Sequence, residues 1–346
     1  MYRNRRIVLI SGGAGFIGSH TVDKFLKEGF EVRSFDNLVG GNLKNISHLD
    51  SEKNFKFEKA DLLNLEKLKN FIKECEYVVH FAGIGDIVPS IKNPKKYFEN
   101  NAQGTACLLD SLNLLKIKKF VYAASSSCYG KAAIPTSEKN PINPLYPYAL
   151  SKYQWEQLCF HWNKVYRLPV NSIRIFNAYG TRSRTTGAYG AVFGVFLKQL
   201  LSKKPLTIVG DGKQRRDFLY VTDVANAFYK ASQTKKNQQI WNLGSGKPKS
   251  VNELVRLLNN PSGIVRLPKR PGEPDVTFAN IKKISKDLKW KPHVSFKDGV
   301  EKILKNIDYW KSAPLWNKKK ISKETKLWFE YMKWKIIYQR LLPQNK

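Results

Sequence analysis

Residues 7–10, Ile-Val-Leu-Ile, form an unbroken apolar run with β-branched members, the pattern of a strand buried on both faces. Gly12, Gly13, Gly15 and Gly18 follow at once, and residues 21–27 then keep helical spacing, with Val22, Phe25 and Leu26 on one side. The same alternation of elements continues along the chain. Residues 31–35, 55–59, 77–83, 119–125 and 169–176 read as five further strands, the one at 77–83 opening into a glycine loop. Helical spacing recurs at 65–73, from about 97 to 116, and from 146 to 165. Residues 37–50 are polar and rich in Gly and Asn, so they predict a loop with a short helix, and 86–96, with Pro89 and Pro94, predicts an irregular stretch. Strands alternating with helices argue an α/β fold with a doubly wound parallel sheet.

The second half is less regular. Residues 181–189 read as a polar loop and 191–201 as an apolar helix. Short strands are expected at 206–209, 218–221 and 240–243, and helices at 223–232 and 252–259. The pattern divides the chain into residues 1–176, with return segments near 215–243, a smaller α/β lobe at 177–320, and a basic tail at 321–346. In the tail, Leu327, Trp328, Tyr331, Met332, Lys335 and Tyr338 fall at helical spacing. Such a helix either lies on an acidic membrane surface or packs on its own domain or a partner subunit, and packing is the preferred expectation.

Composition changes this picture little. In 346 residues, 42% hydrophobic, no apolar run is long enough to span a bilayer. Residues 1–6 lead straight into the first strand without an apolar signal core, so a cytoplasmic location is expected. The four cysteines, Cys75, Cys107, Cys128 and Cys159, are widely spaced without metal-type pairing and read as reduced thiols, so no metal is expected. Sixty basic residues against 28 acidic ones give a net charge of +32. That charge suits either a polyanionic partner or a Lys-rich solvated surface. The lysines are spread along the chain rather than gathered in a block, which favours the solvated surface and no nucleic-acid partner.

Strand, glycine turn, helix is the order in which a dinucleotide phosphate is held. Glycine allows the tight turn and close backbone approach, and the helix N-terminus offers free N–H groups to the anion. The second strand ends in Asp36, at the distance where an acid meets the ribose 2′-hydroxyl, so NAD is expected over NADP. Asp61, at the end of the third strand, is placed to meet the adenine amino group. A second chemical signal follows the fifth strand. Ser125, Ser126 and Ser127 stand at its end, and Tyr148 and Lys152 lie four apart at the start of a helix. On one helix face, the Lys152 ammonium would favour the Tyr148 phenolate and lower its pKa toward neutrality.

Taken together, these residues resemble the extended short-chain dehydrogenase/reductases, specifically the NAD-dependent nucleotide-sugar epimerases and dehydratases. The matching motifs are Gly12-Gly-Ala-Gly-Phe-Ile-Gly18, Asp36, Asp61-Leu62, His80-Phe-Ala-Gly83, Asn101, Ser125-Ser-Ser-Cys-Tyr-Gly130 and Tyr148-Ala-Leu-Ser-Lys152. Phe176-Asn177-Ala-Tyr-Gly180, Gly210-Asp-Gly-Lys-Gln-Arg-Arg-Asp-Phe218 and Arg270-Pro-Gly-Glu273 complete them, and the resemblance covers residues 5 to about 310. It implies a Rossmann domain with a substrate lobe, a tightly held NAD and a homodimer formed through a four-helix interface. It implies cofactor contacts from Gly12, Gly15, Phe16, Ile17, Gly18, Asp36, Asn37, Asp61, Leu62, Phe81, Ala82, Gly83, Asn101, Tyr148 and Lys152. By the same resemblance, Ser125, Ser126, Ser127, Asn177, Ala191 and Val192 meet the substrate, Arg216 and Arg270 clamp its diphosphate, and Glu273 contacts its ribose.

The family's first step is oxidation at sugar C4, with Tyr148, Lys152 and Ser125 as the catalytic set. Its 4,6-dehydratases carry an Asp-Glu pair after the catalytic hydroxyl residue, and its decarboxylases keep a Glu there. Here Ser126 and Ser127 stand instead, and neither hydroxyl is an acid near pH 7. The resemblance therefore points to inversion at C4 of a UDP-sugar, with dehydration or decarboxylation as the alternative. A dinucleotide-sensing regulator would not need Tyr148 with Lys152. Thr277 aligns with a gate beside the sugar, where it and Ala191 would leave room for a 2-acetamido group; it is equally well read as an ordinary strand residue. Gly194 stands where the family often has proline.

Overall fold

In a computed structural model, the structure describes residues 6–185 and 192–341, the last nine of these as backbone alone. The elements run β1 (Ile7–Ser11), α1 (Phe16–Lys27), β2 (Glu31–Asp36), β3 (Phe55–Lys59), α2 (Leu65–Ile72) and β4 (Tyr77–His80). Then come α3 (Ile87–Lys92), α4 (Pro94–Phe98), α5 (Gly104–Asp110), β5 (Lys119–Ser125), α6 (Pro147–Tyr166) and β6 (Val170–Ile175). The second half holds β7 (Asn177–Tyr179), α7 (Val192–Leu201), β8 (Leu206–Val209), β9 (Arg215–Arg216), β10 (Phe218–Tyr220), α8 (Val221–Gln233) and β11 (Gln239–Leu243). It closes with β12 (Lys249–Ser250), α9 (Val251–Leu258), β13 (Ile264–Leu267), α10 (Lys282–Leu288), α11 (Phe296–Lys305) and α12 (Lys318–Leu341).

Seven strands form one parallel sheet in the order β11-β6-β5-β4-β1-β2-β3. The chain winds outward from β1 to β3, crosses back, and winds the other way from β4. This is the doubly wound α/β arrangement expected, and its order reverses between β1 and β4, where such sheets open a crevice at their carboxyl ends. The central strand β1 is apolar from Ile7 to Ile10 because helices cover both faces, whereas the edge strand β3 alternates Phe with charged residues. One core layer holds Val8, Ile10, Val79 and Val121 with Phe25 of α1 and Phe228 of α8. The other holds Leu9, Val78, Phe120 and Tyr122 with Leu108 of α5 and Trp155 of α6. A third cluster, from Phe193, Phe196, Leu206, Leu254 and Trp310, lies outside the sheet and carries the smaller strands β8 and β13.

Three local expectations differ from what is found. Helix α1 begins at Phe16, inside the glycine run, because Gly15 adopts the extended N-cap conformation. Residues 87–98 are helical rather than irregular. Pro94 sits at the first turn of α4, where its missing N–H is harmless, and Asn93 caps that turn by accepting from Lys96 N. The long helix expected to run from 97 to 116 is broken by a π-type stretch at Glu99–Gln103 and stops at Asp110. The extra residue in that wider turn lets Asn101 face inward.

Helix α12 presents its stripe to its own chain. Ile321, Thr325, Trp328 and Met332 are buried, and Trp328 and Met332 pack with Val88 of α3. The inward set therefore differs from the one read from the sequence, because Tyr331 is 59% exposed and Leu327 only half-buried. The side chains of Lys335 and Tyr338 lie outside the described residues. Among the described residues, no helix is long and apolar enough to cross a membrane.

Candidate active site

The crevice at the carboxyl ends of β1, β4 and β5 opens into a cavity of about 630 Å³. At one end, Gly12, Gly15, Phe16, Ile17 and Gly18 form its floor. Gly12 has φ +74°, and a Cβ there would stand 2.7 Å from Ala82 N, so a side chain would close the gap between the β1 and β4 turns. No side chain caps α1 and no acid lies in its first turn. Its N–H groups thus face the cavity with their partial positive charge uncancelled.

Asp36 lines the same end, 7% exposed. Its carboxylate accepts from Ala14 N at 3.1 Å and Leu38 N at 2.8 Å, which fixes it beside the glycine turn. Burial raises its pKa, and those backbone donors pull it back. Asn37 donates to Asp61 at 2.7 Å, and Asp61 in turn accepts from Leu63 N, so the pair is locked together on the wall with Leu62. Phe81, Ala82 and Gly83 line the cavity from the β4 side. This glycine cradle, bare helix end and held acid fit a dinucleotide, for which the backbone could receive the pyrophosphate and Asp36 the ribose.

Asn101 is not on the wall. It is 3% exposed, accepts from Ile84 N at 2.8 Å and donates to Ile84 O and Ser151 Oγ. It acts on the cavity through the Gly83-Ile84 loop, which it ties to α6. His80 is likewise behind the wall, between Ser11 Oγ at 2.6 Å and Thr105 Oγ1 at 2.7 Å. Burial pushes its pKa down to about 3, so the ring is neutral.

The catalytic candidates meet in the middle. Ser125, Ser126, Ser127, Tyr148 and Lys152 all line the cavity. Ser125 ends β5 in extended conformation and caps the 3-10 turn that follows, accepting from Ser127 N and sharing a 2.8 Å hydrogen bond with Ser127 Oγ. It also stands close enough to the Tyr148 phenol to influence its ionisation. Tyr148 and Lys152 sit in the first turns of α6, with Pro147 starting the helix. Lys152 is 9% exposed, and its ammonium lies 4.5 Å from the centroid of the Tyr122 ring. Burial lowers its pKa to about 8, which leaves it a cation at pH 7.

The electrostatic expectation for Tyr148 does not hold. Its pKa is raised, not lowered. Burial is the largest influence, the nearby Ser125 hydroxyl opposes it, and the carboxylate of Asp86 adds to it. Lys152 is directed at the Tyr122 face, so helical spacing alone overstated what it does for the phenol.

At the far end, Asn177, Val192, Arg216, Arg270 and Glu273 line the cavity. Arg216 donates to Glu273 Oε1 at 2.7 Å and to Pro274 O at 2.9 Å, so the proposed diphosphate and ribose contacts are paired with each other here. Asp217 is turned away, fully buried, and accepts from Ser245, Gly246 and Ala279 backbone N–H groups. Thr277 is not on this wall. It borders an adjoining cavity of about 310 Å³ with Ser126 and Glu273, and its hydroxyl donates to Asn177 Oδ1 at 2.7 Å. It thus orients Asn177 rather than gating the main cavity. Ala191 lies outside the described residues.

Two pocket residues gave no signal in the sequence. Asp86, at the N-terminus of α3, and Arg184 both line the cavity and form a 2.5 Å ion pair. Burial raises the Asp86 pKa to about 6, against the pull of Arg184. A deeper network was also silent. Arg174 and Glu156, 3% and 1% exposed, are bonded to one another, to Ser172 and to Tyr129 directly beneath the serine turn.

Comparison with known proteins agrees with this arrangement. The sequence model of the NAD dependent epimerase/dehydratase family matches residues 8–244. A protein of Methanocaldococcus jannaschii named putative UDP-glucose 4-epimerase is 36% identical over 306 residues, spanning 86% of this chain and 97% of that one. The crystal structure of UDP-glucuronic acid 4-epimerase from Bacillus cereus, with UDP-glucuronic acid and NAD, is 34% identical with a TM-score of 0.82, covering 88% of this chain and 99% of that one. A UDP-N-acetylglucosamine 4-epimerase from Methanobrevibacter ruminantium, in complex with UDP-N-acetylmuramic acid, is 29% identical with a TM-score of 0.80, over 87% and 99%.

Proposed function

This chain belongs to the NAD-dependent epimerase/dehydratase family, and from that premise we propose that it inverts C4 of a UDP-sugar through a 4-keto sugar. One observation carries the reading: Tyr148, Lys152 and Ser125 line the same cavity, with the phenol one helical turn before Lys152 and close enough to Ser125 for that hydroxyl to pull its pKa down. Gly12, Gly15, the N-terminus of α1 and Asp36 would hold NAD, with Lys152 and Tyr148 at its reactive end. When bound, NAD supplies the acceptor that takes the C4 hydrogen with its electron pair and gives it back.

The chain's own residues handle the proton and the oxygen. Tyr148 takes the 4-hydroxyl proton and later returns it. Ser125 donates a hydrogen bond to the same oxygen, steadying it while it carries charge. Lys152, a buried cation over the Tyr122 ring, would face the cofactor's ribose one helical turn from Tyr148. Asn177 is held by Thr277 with its amide toward the cavity and offers its polar edge to the sugar. Arg216, Arg270 and Glu273 would receive the nucleotide diphosphate and ribose, for which the Arg216–Glu273 pair must open or share its donors.

Ser126 and Ser127 favour epimerisation over elimination, since neither can protonate a leaving hydroxyl near pH 7. The reading includes a homodimer and a cytoplasmic location, with which four free cysteines are in keeping. The test is to incubate the pure protein with UDP-glucose, UDP-N-acetylglucosamine and UDP-glucuronate, without added NAD, and separate the products. The expected outcome is the C4 epimer of at least one. No conversion, or a product lighter by one water, would overturn it.

A further inference from the structure

Helix α12 lies beyond the stretch that resembles known epimerases, yet it forms part of the cavity wall. Ile321, 4% exposed, lines the cavity directly. Four residues further along, Thr325 is buried, followed by Trp328 and Met332, so one continuous stripe faces inward. That stripe touches three parts of the site at once.

The first is α3. Trp328 and Met332 pack with Val88, Ile87 and Ile91, and Lys92 pairs with Glu324 at 2.7 Å. The loop just before α3 carries Gly85 and Asp86, which face Tyr148. The second is Tyr146, a wall residue two positions before Tyr148, whose ring centroid is 5.7 Å from that of Trp328. The third is the segment bearing Arg270 and Glu273. Trp328 Nε1 donates to Pro271 O at 2.8 Å, and Met332 Cε fills the space over Gly272, where a Cβ would overlap it. Gly272 also has φ +75°, a backbone conformation that favours glycine.

We propose that α12 is a built-in wall of the nucleotide-sugar site and that Trp328 is a positioning residue, setting the Arg270–Glu273 segment and Tyr146 against one another. The role rests on the UDP-sugar reading above. It gives the tail a task within the molecule: its apolar stripe is spent on the site, while Lys323 and Lys326 stay on the solvent side.

Trp328 bonds to the segment bearing Arg270 and Glu273 and packs on Tyr146 and α3, so its loss should separate substrate binding from cofactor binding. The experiment uses full-length protein, with UDP as the calorimetric probe, and compares Trp328→Ala, Trp328→Phe and Met332→Ala. Content of co-purified NAD, thermal midpoint, and KM and kcat for UDP-glucose are read alongside. Trp328→Ala is expected to weaken UDP binding and raise KM about tenfold or more, with kcat and NAD content little changed. Trp328→Phe keeps a ring against Tyr146 and is expected to recover most of that loss. Met332→Ala strikes the same segment from the Gly272 side and should give the same split, which keeps the question answerable if Trp328→Ala does not fold. Unchanged UDP affinity in both alanine variants overturns the proposal. So does a loss of affinity that always comes with loss of NAD and of thermal midpoint, since that marks general core packing. If the wild-type protein itself does not bind UDP, the nucleotide reading fails first and this role falls with it.

Discussion

Asp86 Oδ2 accepts a 2.5 Å hydrogen bond from Arg184 Nη1 on the wall of the cavity that holds Tyr148. The two residues are 98 positions apart, and neither belongs to the glycine, serine or Tyr-Lys motifs. Their closeness to the phenol has a consequence for pH. Burial lifts the Asp86 carboxyl to about 6, and its ionised form raises the Tyr148 pKa. Above pH 6 the carboxylate therefore opposes formation of the phenolate. Asp86→Asn removes that charge, and the rising limb of kcat/KM against pH is expected to move to lower pH. A pH profile of UDP-glucose turnover checks it; an unmoved limb would mean that Asp86 does not sense Tyr148. For stability the sign is opposite to that of a paired carboxylate. A pKa raised above its unfolded value penalises the folded state as pH rises through about 4 to 6, so Asp86→Asn is expected to gain stability at pH 7 relative to pH 4.

Tyr148→Phe keeps the ring and deletes the group that moves the proton. Its kcat is expected to fall by about two to four orders of magnitude, the usual scale of general acid–base catalysis. NAD content should not change, because the glycine cradle and Asp36 are untouched. Ser125→Ala should cost less, since a hydrogen bond to the oxygen is lost but the proton carrier remains. Steady-state assays with co-purified NAD measured by absorbance read both.

The pair Arg174–Glu156 makes a separate prediction about the frame beneath the serine turn. Arg174 Nη2 meets Glu156 Oε2 at 2.5 Å, Ser172 Oγ donates to Glu156 at 2.6 Å, and Arg174 Nη1 donates to Tyr129 at 2.7 Å. Replacing one ion leaves the other buried and uncompensated. Arg174→Met is expected to lower stability by about 3–5 kcal/mol, and the double change Arg174→Met with Glu156→Leu by clearly less, because the orphaned charge is then gone. Urea unfolding of the two single variants and the double variant measures the cycle.

The parts of this protein legible in its sequence are those coded locally. The apolar run before Gly12, the acid at the end of β2 and the spacing of Tyr148 and Lys152 each lie within one strand, turn or helix. Period and spacing therefore place them. The parts not legible are pairings across the fold. Asp86 with Arg184, Trp328 with Tyr146, and Arg174 with Glu156 meet only because the crossing helices and loops bring distant segments together. The break at Glu99–Gln103 is silent in the sequence for a related reason: a single extra residue in a turn leaves hydrophobic spacing nearly unchanged, while it decides that Asn101 holds Ile84. The raised Tyr148 pKa is not legible in the sequence, because helical spacing gives proximity and says nothing of burial. Thr277 stands behind Asn177 instead of at a gate, a distinction of depth that alternation along a strand does not carry.

The central claim is that the hydrogen taken from sugar C4 returns to C4 within one active site, with Tyr148 moving the proton. The direct measurement uses UDP-glucose deuterated at C4, incubated with the pure protein and its own NAD, and locates the label in the product by NMR and mass spectrometry. The expected result is UDP-galactose with the deuterium still on C4. Deuterium on C6 of a product lighter by one water, or deuterium lost from the sugar, would contradict it.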